Sequence, residues 1–381
     1  MRILYDHTVF QFQRYGGVSR YFYELITRLS VQEDVDISLF QGFNINEYAL
    51  SEHKQYFDSY WGYKWECKKP VAKYIAHILF SIPNRILLDR YAHSSDIDIY
   101  HPTYYRKDLE KYNKAGIVLT VHDMIHELYP DQFIDSRFVI KAKKKSISAA
   151  DQIICVSNNT KMDLMSIYGV PEEKINVIYH GSSLPESHGH LRSDDLREMY
   201  SITLPYLLYV GDRKQRYKNF KILLETYVTT LSNRFDLVCF GGGDFNSHEL
   251  KIIHGAKSPG KVIHLSGSDY LLASLYKNAF CFVYPSLYEG FGIPLLEAMG
   301  MGCPVISSNT SSIPEVVDKA ASFFDPASKE SLLNAIELVE CNNSERNKLI
   351  NLGLEQEKKF SWNKTAHETF NVYKYVYDLK H

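Results

Sequence analysis

The residues best suited to chemistry lie in one segment, 284–317, which reads YPSLYEGFGIPLLEAMGMGCPVISSNTSSIPEVV. Two carboxylates, Glu289 and Glu297, flank a Gly-Phe-Gly turn and Pro294. Because proline suits the first helical position, we predict a strand, a glycine turn and a helix that opens at Pro294, with Glu297 in its first turn. The acids could bind hydroxyls, and the glycines would admit an anionic ligand. Alternatively, Glu297 only complements the helix dipole.

Further candidate residues follow other predicted strands, where open α/β sheets bind their ligands. Gly16 and Gly17 follow the first strand and precede an amphipathic helix. A simple turn is the default interpretation of such a pair, which lacks the G-x-G-x-x-G spacing of dinucleotide-binding enzymes. The loop YVGDRKQRYKNF supplies cations after a later strand, and VLTVHD ends in His122 and Asp123. A solvated charge cluster and a structural histidine are the plain alternatives.

Strands and longer amphipathic segments alternate along the chain, which predicts two parallel sheets covered by helices. The runs MRILYD, VDISLF, DIDIYH, GIVLTVHD, QIICVS and INVIYHG form the first predicted sheet. The runs YLLYVG, DLVCFG, VIHLSG, AFCFVYP and PVISSN form the second. Residues 182–205 are polar, contain two prolines and lack a strand pattern, so we place the linker there. A final helix is predicted after Ser361.

Composition narrows the classes of protein. The chain has 381 residues, enough for two domains, with 45% hydrophobic and 23% charged residues. A net charge of −2 argues against a general nucleic-acid binder. No window approaches the roughly 18 apolar residues of a spanning helix, and MRILYDHTVF reads as a strand rather than a signal peptide. Scattered cysteines indicate reduced thiols, so we expect a cytoplasmic protein.

The pattern E-G-F-G-x-P-x-x-E-A-M, followed by G-x-P-V-x-x-S and P-E-V, resembles glycosyltransferase family 4, the retaining sugar-nucleotide transferases. The resemblance implies an α/β GT-B fold, in which two Rossmann-like domains face each other across a cleft. We therefore expect an N-terminal acceptor-binding domain at 1–190 and a nucleotide-sugar-binding domain at 200–365. Residues 366–381 would form a helix that packs back on the N-terminal domain.

The same resemblance implies roles for individual residues. Glu297 would hold the ribose hydroxyls of the donor. The donor sugar would be held by Glu289 and by the turn that follows it, formed by Gly290, Phe291 and Gly292.

The phosphate-binding groups are implied in the same way. Gly16 and Gly17 would let the backbone approach the diphosphate, and Lys218 matches the lysine that neutralises the leaving group. Many members have the partner arginine directly after the glycine, where this chain has Asp212. We therefore choose Arg213, with Arg216 as the reserve.

In the N-terminal half, His122 matches a histidine close to the donor sugar and the acceptor. We place Asp123 and His101 in the acceptor pocket and interpret His180 as structural. Aspartate pairs at Asp34–Asp36 and Asp96–Asp98 run into strand residues and read as strand starts. No metal or other cofactor is expected, because arginine, lysine and helix dipoles serve instead of a metal in GT-B enzymes.

The implied reaction transfers a hexose from a nucleotide donor with retention of configuration. The acceptor hydroxyl would attack from the face that the diphosphate leaves, while a leaving phosphate oxygen takes the proton. The N-terminal pattern H-x-x-F-x-x-Q-x-x-G-G-V-S-R-Y-F and the Y-K-N loop are similar to bacterial mannosyltransferases of O-antigen or capsule synthesis, which favours GDP-mannose. UDP- and dTDP-sugars stay open as donors.

Other functions and partners stay open from the sequence. A sugar-nucleotide 2-epimerase shares the fold, a glycoside hydrolase also uses paired carboxylates, and a silent binding protein is a third possibility. The acceptor could be a glycan or a polyprenyl-diphosphate-linked glycan. Basic and aromatic residues could touch the inner membrane peripherally. They are Trp61, Trp65, Lys68, Lys69, Lys73, Arg85, Arg90 and the run Lys141, Lys143, Lys144 and Lys145. Solvated helix faces are the alternative.

Overall fold

The structure is a computed structural model that describes residues 1–66, 70–93, 96–182, 184, 190–255 and 260–381. The chain divides into two compact units. Unit 1 comprises Met1–His180 and Trp362–His381, and unit 2 comprises Gly181–Ser361. Labels below follow chain order across both units. Among the described residues, no helix combines the length and the apolar character needed to cross a bilayer.

Unit 1 contains a parallel seven-stranded sheet in the order β3-β2-β1-β4-β5-β6-β7. Its strands are β1 (Arg2–Tyr5), β2 (Asp36–Asn44), β3 (Ser59–Lys64), β4 (Ile99–His101), β5 (Gly116–Val121), β6 (Gln152–Cys155) and β7 (Ile175–Val177). Its α-helices are α1 (Thr8–Phe12), α2 (Gly17–Leu29), α3 (Pro70–His93), α4 (Ile125–Leu128), α5 (Ser136–Ala149), α6 (Asn158–Tyr168) and α15 (Trp362–Lys380). Short 3₁₀ helices are Leu50–Tyr56, Leu109–Tyr112, Pro130–Gln132 and Glu172–Lys174.

Unit 2 contains a parallel six-stranded sheet in the order β10-β9-β8-β11-β12-β13. Its strands are β8 (Tyr206–Val210), β9 (Asp236–Phe240), β10 (Val262–Leu265), β11 (Cys281–Tyr284), β12 (Val305–Ser308) and β13 (Ala321–Phe324). Its α-helices are α7 (Ser193–Tyr200), α8 (Phe220–Thr226), α9 (Ser247–Gly255), α10 (Asp269–Asn278), α11 (Ile293–Gly300), α12 (Ile313–Val317), α13 (Lys329–Cys341) and α14 (Asn343–Glu357). Arg216–Lys218 is 3₁₀-helical, and Tyr227–Leu231 continues α8 as a π-helix.

Hydrophobic burial on both faces explains why these strands read as nearly continuous apolar runs. Every residue of β5 is buried, as is every residue of β11. In unit 2 the strands pack against helices α8 and α13 through a core that includes Leu207, Leu223, Leu237, Leu332 and Ile336. Burial of each such side chain contributes about 1.5–3 kcal/mol, so the sheets form the rigid base for the loops at their ends.

The order of the strands fixes where ligands can bind in each unit. In unit 1 the order reverses between β1 and β4, and in unit 2 it reverses between β8 and β11. Crevices beyond the carboxyl ends of strands at such reversal points are the usual ligand sites of open α/β sheets. The loops after β8 and β11 carry Lys218 and Glu289, so the topology of unit 2 brings these two distant segments together.

The predicted linker contains one helix, and the predicted final helix is present. Part of the range 182–205 forms α7, whose Leu196 is buried within unit 2. Helix α15 packs on α2 and β5 in unit 1. A hydrogen bond of 2.8 Å joins the hydroxyls of Tyr373 on α15 and Tyr5 on β1. Unit 1 ends 10 residues before the predicted limit at 190, and unit 2 begins 19 residues before the predicted start at 200 and ends 4 residues before the predicted end at 365.

Candidate active site

The glycine turn before α11 is held by two serines that the sequence did not single out. Gly292 has φ +112°, a conformation that favours glycine, and a Cβ there would lie 2.8 Å from Leu295 Cδ1. Ser312 Oγ donates to the carbonyls of Glu289 and Phe291 at 2.9 and 3.0 Å. Ser311 Oγ donates to the carbonyl of Glu289 at 2.6 Å. The backbone that presents Glu289 is therefore fixed by α12 and the residues before it.

Lys218 and Glu289 form a close ion pair, although 71 residues separate them in the sequence. Lys218 Nζ lies 2.7 Å from one carboxylate oxygen of Glu289 and 2.9 Å from the other. The side chains are 18% and 8% exposed, so water screens the pair only weakly. Tyr284 lies beside it, and burial, reinforced by Glu289, raises the pKa of the Tyr284 hydroxyl. Lys218, predicted to bind the phosphate, and Glu289, predicted to bind the sugar, are therefore in direct contact.

Glu297 lies on the same helix as the turn but deeper than predicted. Helix α11 begins at Ile293, with Pro294 as its second residue, so no acidic residue lies in the first turn. The prediction of a first-turn position is wrong because the helix begins one residue earlier. Glu297 is 3% exposed, and Tyr276 Oη donates to its Oε2 at 3.4 Å. The helix-dipole interpretation weakens, since that effect is confined to the first turn.

Arg213, our choice for the phosphate arginine, is committed to other groups. Its guanidinium donates to the carbonyls of Gly241, at 2.7 Å, and Gly243. Its Nε lies 3.3 Å from Glu249 Oε1 in a buried ion pair. Gly242 between the acceptors has φ +74°, and a Cβ there would lie 2.8 Å from Gly211 O. Arg213 therefore joins the loops after β8 and β9.

Arg216, the reserve, has the opposite environment. It is exposed at the start of the 3₁₀ turn Arg216–Lys218, two residues before Lys218. A cation on a short, exposed turn can reach an anionic ligand without giving up a buried partner. The geometry therefore favours Arg216 over Arg213 as the second phosphate-binding cation.

The glycine pair of unit 1 stands at the start of α2, as the sequence indicated. Gly16 is the N-cap residue, and Gly17 is the first residue of the helix. A Cβ on Gly17 would meet nothing within 4 Å, which leaves room for a ligand there. A Cβ on Gly16 would lie 2.4 Å from the side chain of Gln13, whose Oε1 accepts from the Ser19 amide at 2.9 Å. Gln13 therefore already satisfies one amide of this helix end.

His122 directly follows β5, is buried, and is kept neutral by that burial. Its ring is 8% exposed, and burial lowers the pKa of His122 to about 4. The edge of the Tyr21 ring packs on it at 5.2 Å between centroids. Its Nε2 is buried and finds no hydrogen-bond partner among the described residues. A buried polar atom without a partner is costly, so this nitrogen is a candidate for ligand contact.

Asp123, the next residue, is partly exposed and serves the local backbone. Its Oδ1 accepts from the Ile125 amide at 3.0 Å, which caps the short helix α4. Its carbonyl accepts from Lys143 Nζ at 2.8 Å. The structure places Asp123 next to His122 at the end of β5, as predicted from the sequence, with one carboxylate oxygen engaged in the cap.

His101 is a core residue and not a residue of an acceptor pocket. It is fully buried, and both ring nitrogens are hydrogen-bonded. Nδ1 lies 2.5 Å from Tyr373 Oη, and Nε2 lies 2.9 Å from Thr120 Oγ1. Burial lowers the pKa of His101 to about 3. The prediction failed because β4 ends beneath α15, whose Tyr373 covers the strand end where a ligand would have to enter.

The aspartate pairs set aside as metal sites lie at strand starts. Asp36 is the first residue of β2, and Asp98 directly precedes β4. The carboxylate of Asp98 accepts from the Arg2 amide at 2.7 Å, so it has a structural partner. Within the part of the chain that the structure describes, no three His, Cys, Asp or Glu side chains are grouped to hold a metal ion.

The residues proposed for membrane contact separate into several environments. Lys143 is fully buried and does not belong to an exposed basic run, whereas Lys141, Lys144 and Lys145 are exposed. Trp61 is stacked on Phe40 at 5.0 Å between centroids. Arg85 and Arg90 are exposed. Lys68, Lys69 and the side chain of Lys73 lie outside the described residues.

Comparisons with known proteins agree with this architecture. The chain is 28% identical over 387 residues to the O-antigen chain mannosyltransferase B of Escherichia coli, covering 94% of this chain and 96% of that protein. It is 30% identical over 223 residues to the O-antigen chain mannosyltransferase RfbU of Salmonella typhimurium, covering 58% of this chain and 60% of that protein. The solved sucrose-phosphate synthase of Thermosynechococcus elongatus superposes with a TM-score of 0.75 at 18% identity, with 99% of each chain covered.

Family models match both halves of the chain. The model for Glycosyltransferase Family 4 matches residues 15–184, most of the unit 1 sheet. The model described as Glycosyl transferases group 1 matches residues 195–356, which include the whole unit 2 sheet and the loops with Lys218, Glu289 and Glu297. With two Rossmann-like parallel sheets and these two matches, the chain belongs to the family 4, group 1 glycosyltransferases of the GT-B fold.

Proposed function

We propose that this glycosyltransferase moves a hexose from a nucleotide donor to a glycan or lipid-linked glycan, with retention, in bacterial surface polysaccharide synthesis. The observation that carries the proposal is the pair formed by Lys218 and Glu289 beside the glycine turn. A sugar-diphosphate needs a cation at its leaving phosphate and an acid at its sugar hydroxyls. Unit 2 supplies both, together with Glu297 for the ribose, at the reversal point of its sheet.

The chemistry follows from what each group can do. The bond between the anomeric carbon and the phosphate oxygen breaks, and a bond from the same carbon to the acceptor oxygen forms. The acceptor proton passes to a phosphate oxygen of the departing nucleoside diphosphate. Lys218 and Arg216 stabilise the negative charge that develops there, which fixed charges do without reorganising. His122, neutral near pH 7, is suited to hydrogen-bonding a sugar hydroxyl through Nε2.

Mannose from GDP-mannose is the donor we propose, with UDP- and dTDP-sugars as alternatives. Both relatives named above are mannosyltransferases by name, and one of them matches nearly the whole chain. The first test is calorimetric titration of the purified protein with GDP, UDP and dTDP. Tightest binding of GDP is the expected result, and tighter binding of UDP or dTDP would overturn the donor assignment.

The reaction itself is tested by product analysis with GDP-mannose. With a polyprenyl-diphosphate-linked glycan acceptor, we expect an α-linked mannosyl product, because configuration is retained, and stoichiometric GDP. Without acceptor, an altered sugar nucleotide would indicate a 2-epimerase. Hydrolysis of glycan without any nucleotide donor would indicate a glycoside hydrolase. Either outcome contradicts the proposed transfer.

We propose further that the enzyme touches an anionic membrane surface through the exposed end of α5, where lipid-linked acceptors would reside. Phe138 is 62% exposed, and Lys107 Nζ lies 3.4 Å from the centre of its ring. Desolvation, and then the charges of Lys141 and Lys145, lower the pKa of Lys107, which shows how closely the cations cluster. An aromatic ring among lysines suits an interface with anionic lipid.

Liposome flotation tests this contact. The wild-type protein should float with vesicles that contain phosphatidylglycerol and stay behind with pure phosphatidylcholine. Phe138→Ser/Lys141→Ser/Lys145→Ser should lose flotation. Lys221→Ser/Lys329→Ser/Lys348→Ser, which removes three exposed lysines of unit 2, should float like wild type. Equal flotation of both triple variants would contradict the contact.

A further inference from the structure

Lys143 is a buried cation that neither donor binding nor the membrane patch uses. It is fully buried on α5, and its Nζ lies 2.7 Å from Glu127 Oε2 on α4. Glu127 Oε1 accepts from Tyr168 Oη at 2.8 Å, so the pair also reaches α6. A buried pair of this kind is weak evidence for stability, since desolvation offsets most of its attraction. Its remaining contacts indicate what it does.

A second partner of Lys143 is the backbone of the segment that carries His122. Lys143 Nζ donates to the Asp123 carbonyl at 2.8 Å and lies 5.0 Å from the centre of the Tyr105 ring. Tyr105 Oη in turn accepts from the His122 amide at 3.4 Å. Tyr105 therefore holds the peptide group directly before His122, and Lys143 holds the peptide group that follows Asp123. The Asp123 carboxylate also accepts from the Ile125 amide within this turn.

We propose that Lys143 is a positioning residue: through the Asp123 carbonyl and Glu127 it fixes the turn after β5 and so aims the His122 ring. The inference rests on the proposed function, in which His122 contacts the donor sugar. A neutral lysine substitute could fill the same space but could not hold that carbonyl. The turn that carries His122 would then lose one of the contacts that hold its backbone, and small misplacements of a reacting group are costly in rate.

The test separates positioning from simple stability. Lys143→Met alone leaves Glu127 buried without its cation and is expected to fold poorly. The double variant Lys143→Met/Glu127→Met replaces the pair with apolar side chains of similar volume, a change that commonly preserves folding. Leu164→Ala is the matched control, because it removes a buried side chain of α6 without touching the turn.

Two measurements on the double variant decide the inference. Its kcat should fall about tenfold or more, while the KM for the donor, to which the unchanged groups Lys218, Glu289 and Glu297 contribute most, stays within about twofold. The imidazole signal of His122 in a ¹H–¹³C NMR spectrum, assigned by its loss in His122→Ala, should move. Leu164→Ala should leave that signal and the kcat of the folded protein unchanged. A folded double variant with wild-type kcat, or with an unmoved His122 signal, would overturn the inference.

The failure of the proposed function has a different signature. Wild-type activity of His122→Ala would refute the role of His122 in sugar transfer. The shift of the His122 signal in the double variant is measured without substrate, so it still shows whether Lys143 sets the geometry of the turn.

Discussion

The candidate site residues of the two units differ in the charge of their side chains. In unit 2 the groups are charged and paired: Lys218 with Glu289, and Arg213 with Glu249. In unit 1, buried and uncharged rings stand at the ends of β4 and β5: His101 in the core and the candidate residue His122. Burial lowers the pKa of both histidines far below 7, so they are neutral hydrogen-bonding groups. Under the proposed function, the charged groups of unit 2 bind the diphosphate and the sugar, whereas His122 of unit 1 acts as a neutral hydrogen-bonding group.

Low pH should have the largest effect, because it should lower the free energy of unfolding of unit 1, where the buried histidines are neutral. Burial lowers the pKa of His7, His101 and His122 to about 4, 3 and 4, from 6.5. Below about pH 6.5 these histidines bind protons in the unfolded state but stay neutral in the native state. The free energy of unfolding therefore falls as the pH drops from 6.5 towards 4. Each such histidine contributes a slope of up to about 1.4 kcal/mol per pH unit.

Tryptophan fluorescence during urea unfolding measures this loss, because all three tryptophans, Trp61, Trp65 and Trp362, lie in unit 1. His122→Gln should lower the slope between pH 6 and 5 by about one histidine's share. An unfolding free energy that does not change between pH 7 and pH 5 would contradict the burial of neutral rings in unit 1.

Removal of the Lys218 side chain should have the next largest effect, a fall in kcat. Lys218→Ala should lower kcat by about 10²–10³, the usual cost of losing one preorganised group at a developing charge. Lys214→Ala is the matched control, because Lys214 lies in the same loop but is exposed. Steady-state transfer kinetics with both variants measure the difference, and equal activities would show that Lys218 does not face the reaction.

We expect the two arginines of the loop after β8 to have different roles: Arg213 stabilises the fold, and Arg216 binds the diphosphate. Arg213→Ala leaves Glu249 buried without its cation, so it should lose about 3–5 kcal/mol of unfolding free energy. Arg216→Ala should keep wild-type stability and weaken nucleoside diphosphate binding by about tenfold, the value of one hydrogen bond to a charged group. Urea unfolding and calorimetry measure the two effects. A stable Arg213→Ala protein with lost diphosphate binding would restore the original choice.

The smallest effect is expected at Glu297. Glu297→Gln keeps the shape and the contact with Tyr276 but loses the negative charge that would accept from two ribose hydroxyls. Donor affinity should fall by about tenfold. The wild-type protein should show the same loss with a 2′-deoxy nucleoside diphosphate, and Glu297→Gln should no longer distinguish the two nucleotides. Continued discrimination by the variant would place the ribose elsewhere.

The sequence predicted the interior strands of both sheets and one edge strand of each, but it missed the other edge strand. All eleven predicted strands are present, whereas β3 and β13, each at the edge of its sheet, were missed. Interior parallel strands are buried on both faces and so read as apolar runs. Edge strand β3, SYWGYK, is only half-buried and contains glycine, and β13 is four residues long. Neither has the composition on which strand prediction depends.

The candidate site shows the same limit. Residue types and strand-end positions indicated Glu289, Glu297, Lys218 and His122, and their local segments sufficed for that. The environments of Arg213, His101 and Lys143 depend on partners far along the chain, at Gly241, Tyr373 and Glu127. Burial of a charged or polar side chain is set by tertiary packing, which local spacing does not encode. Hence the sequence did not predict that these three side chains are buried and hydrogen-bonded within the fold.

The most direct test of the account is the affinity of Glu289→Gln for GDP and for GDP-mannose, measured by calorimetry beside wild type. Glu289 is proposed to hold the sugar while it shares Lys218 with the diphosphate. The variant should therefore bind GDP at least as tightly as wild type and lose any preference for GDP-mannose over GDP. A Glu289→Gln protein that keeps the wild-type ratio of the two affinities would contradict the central claim that this carboxylate grips the donor sugar.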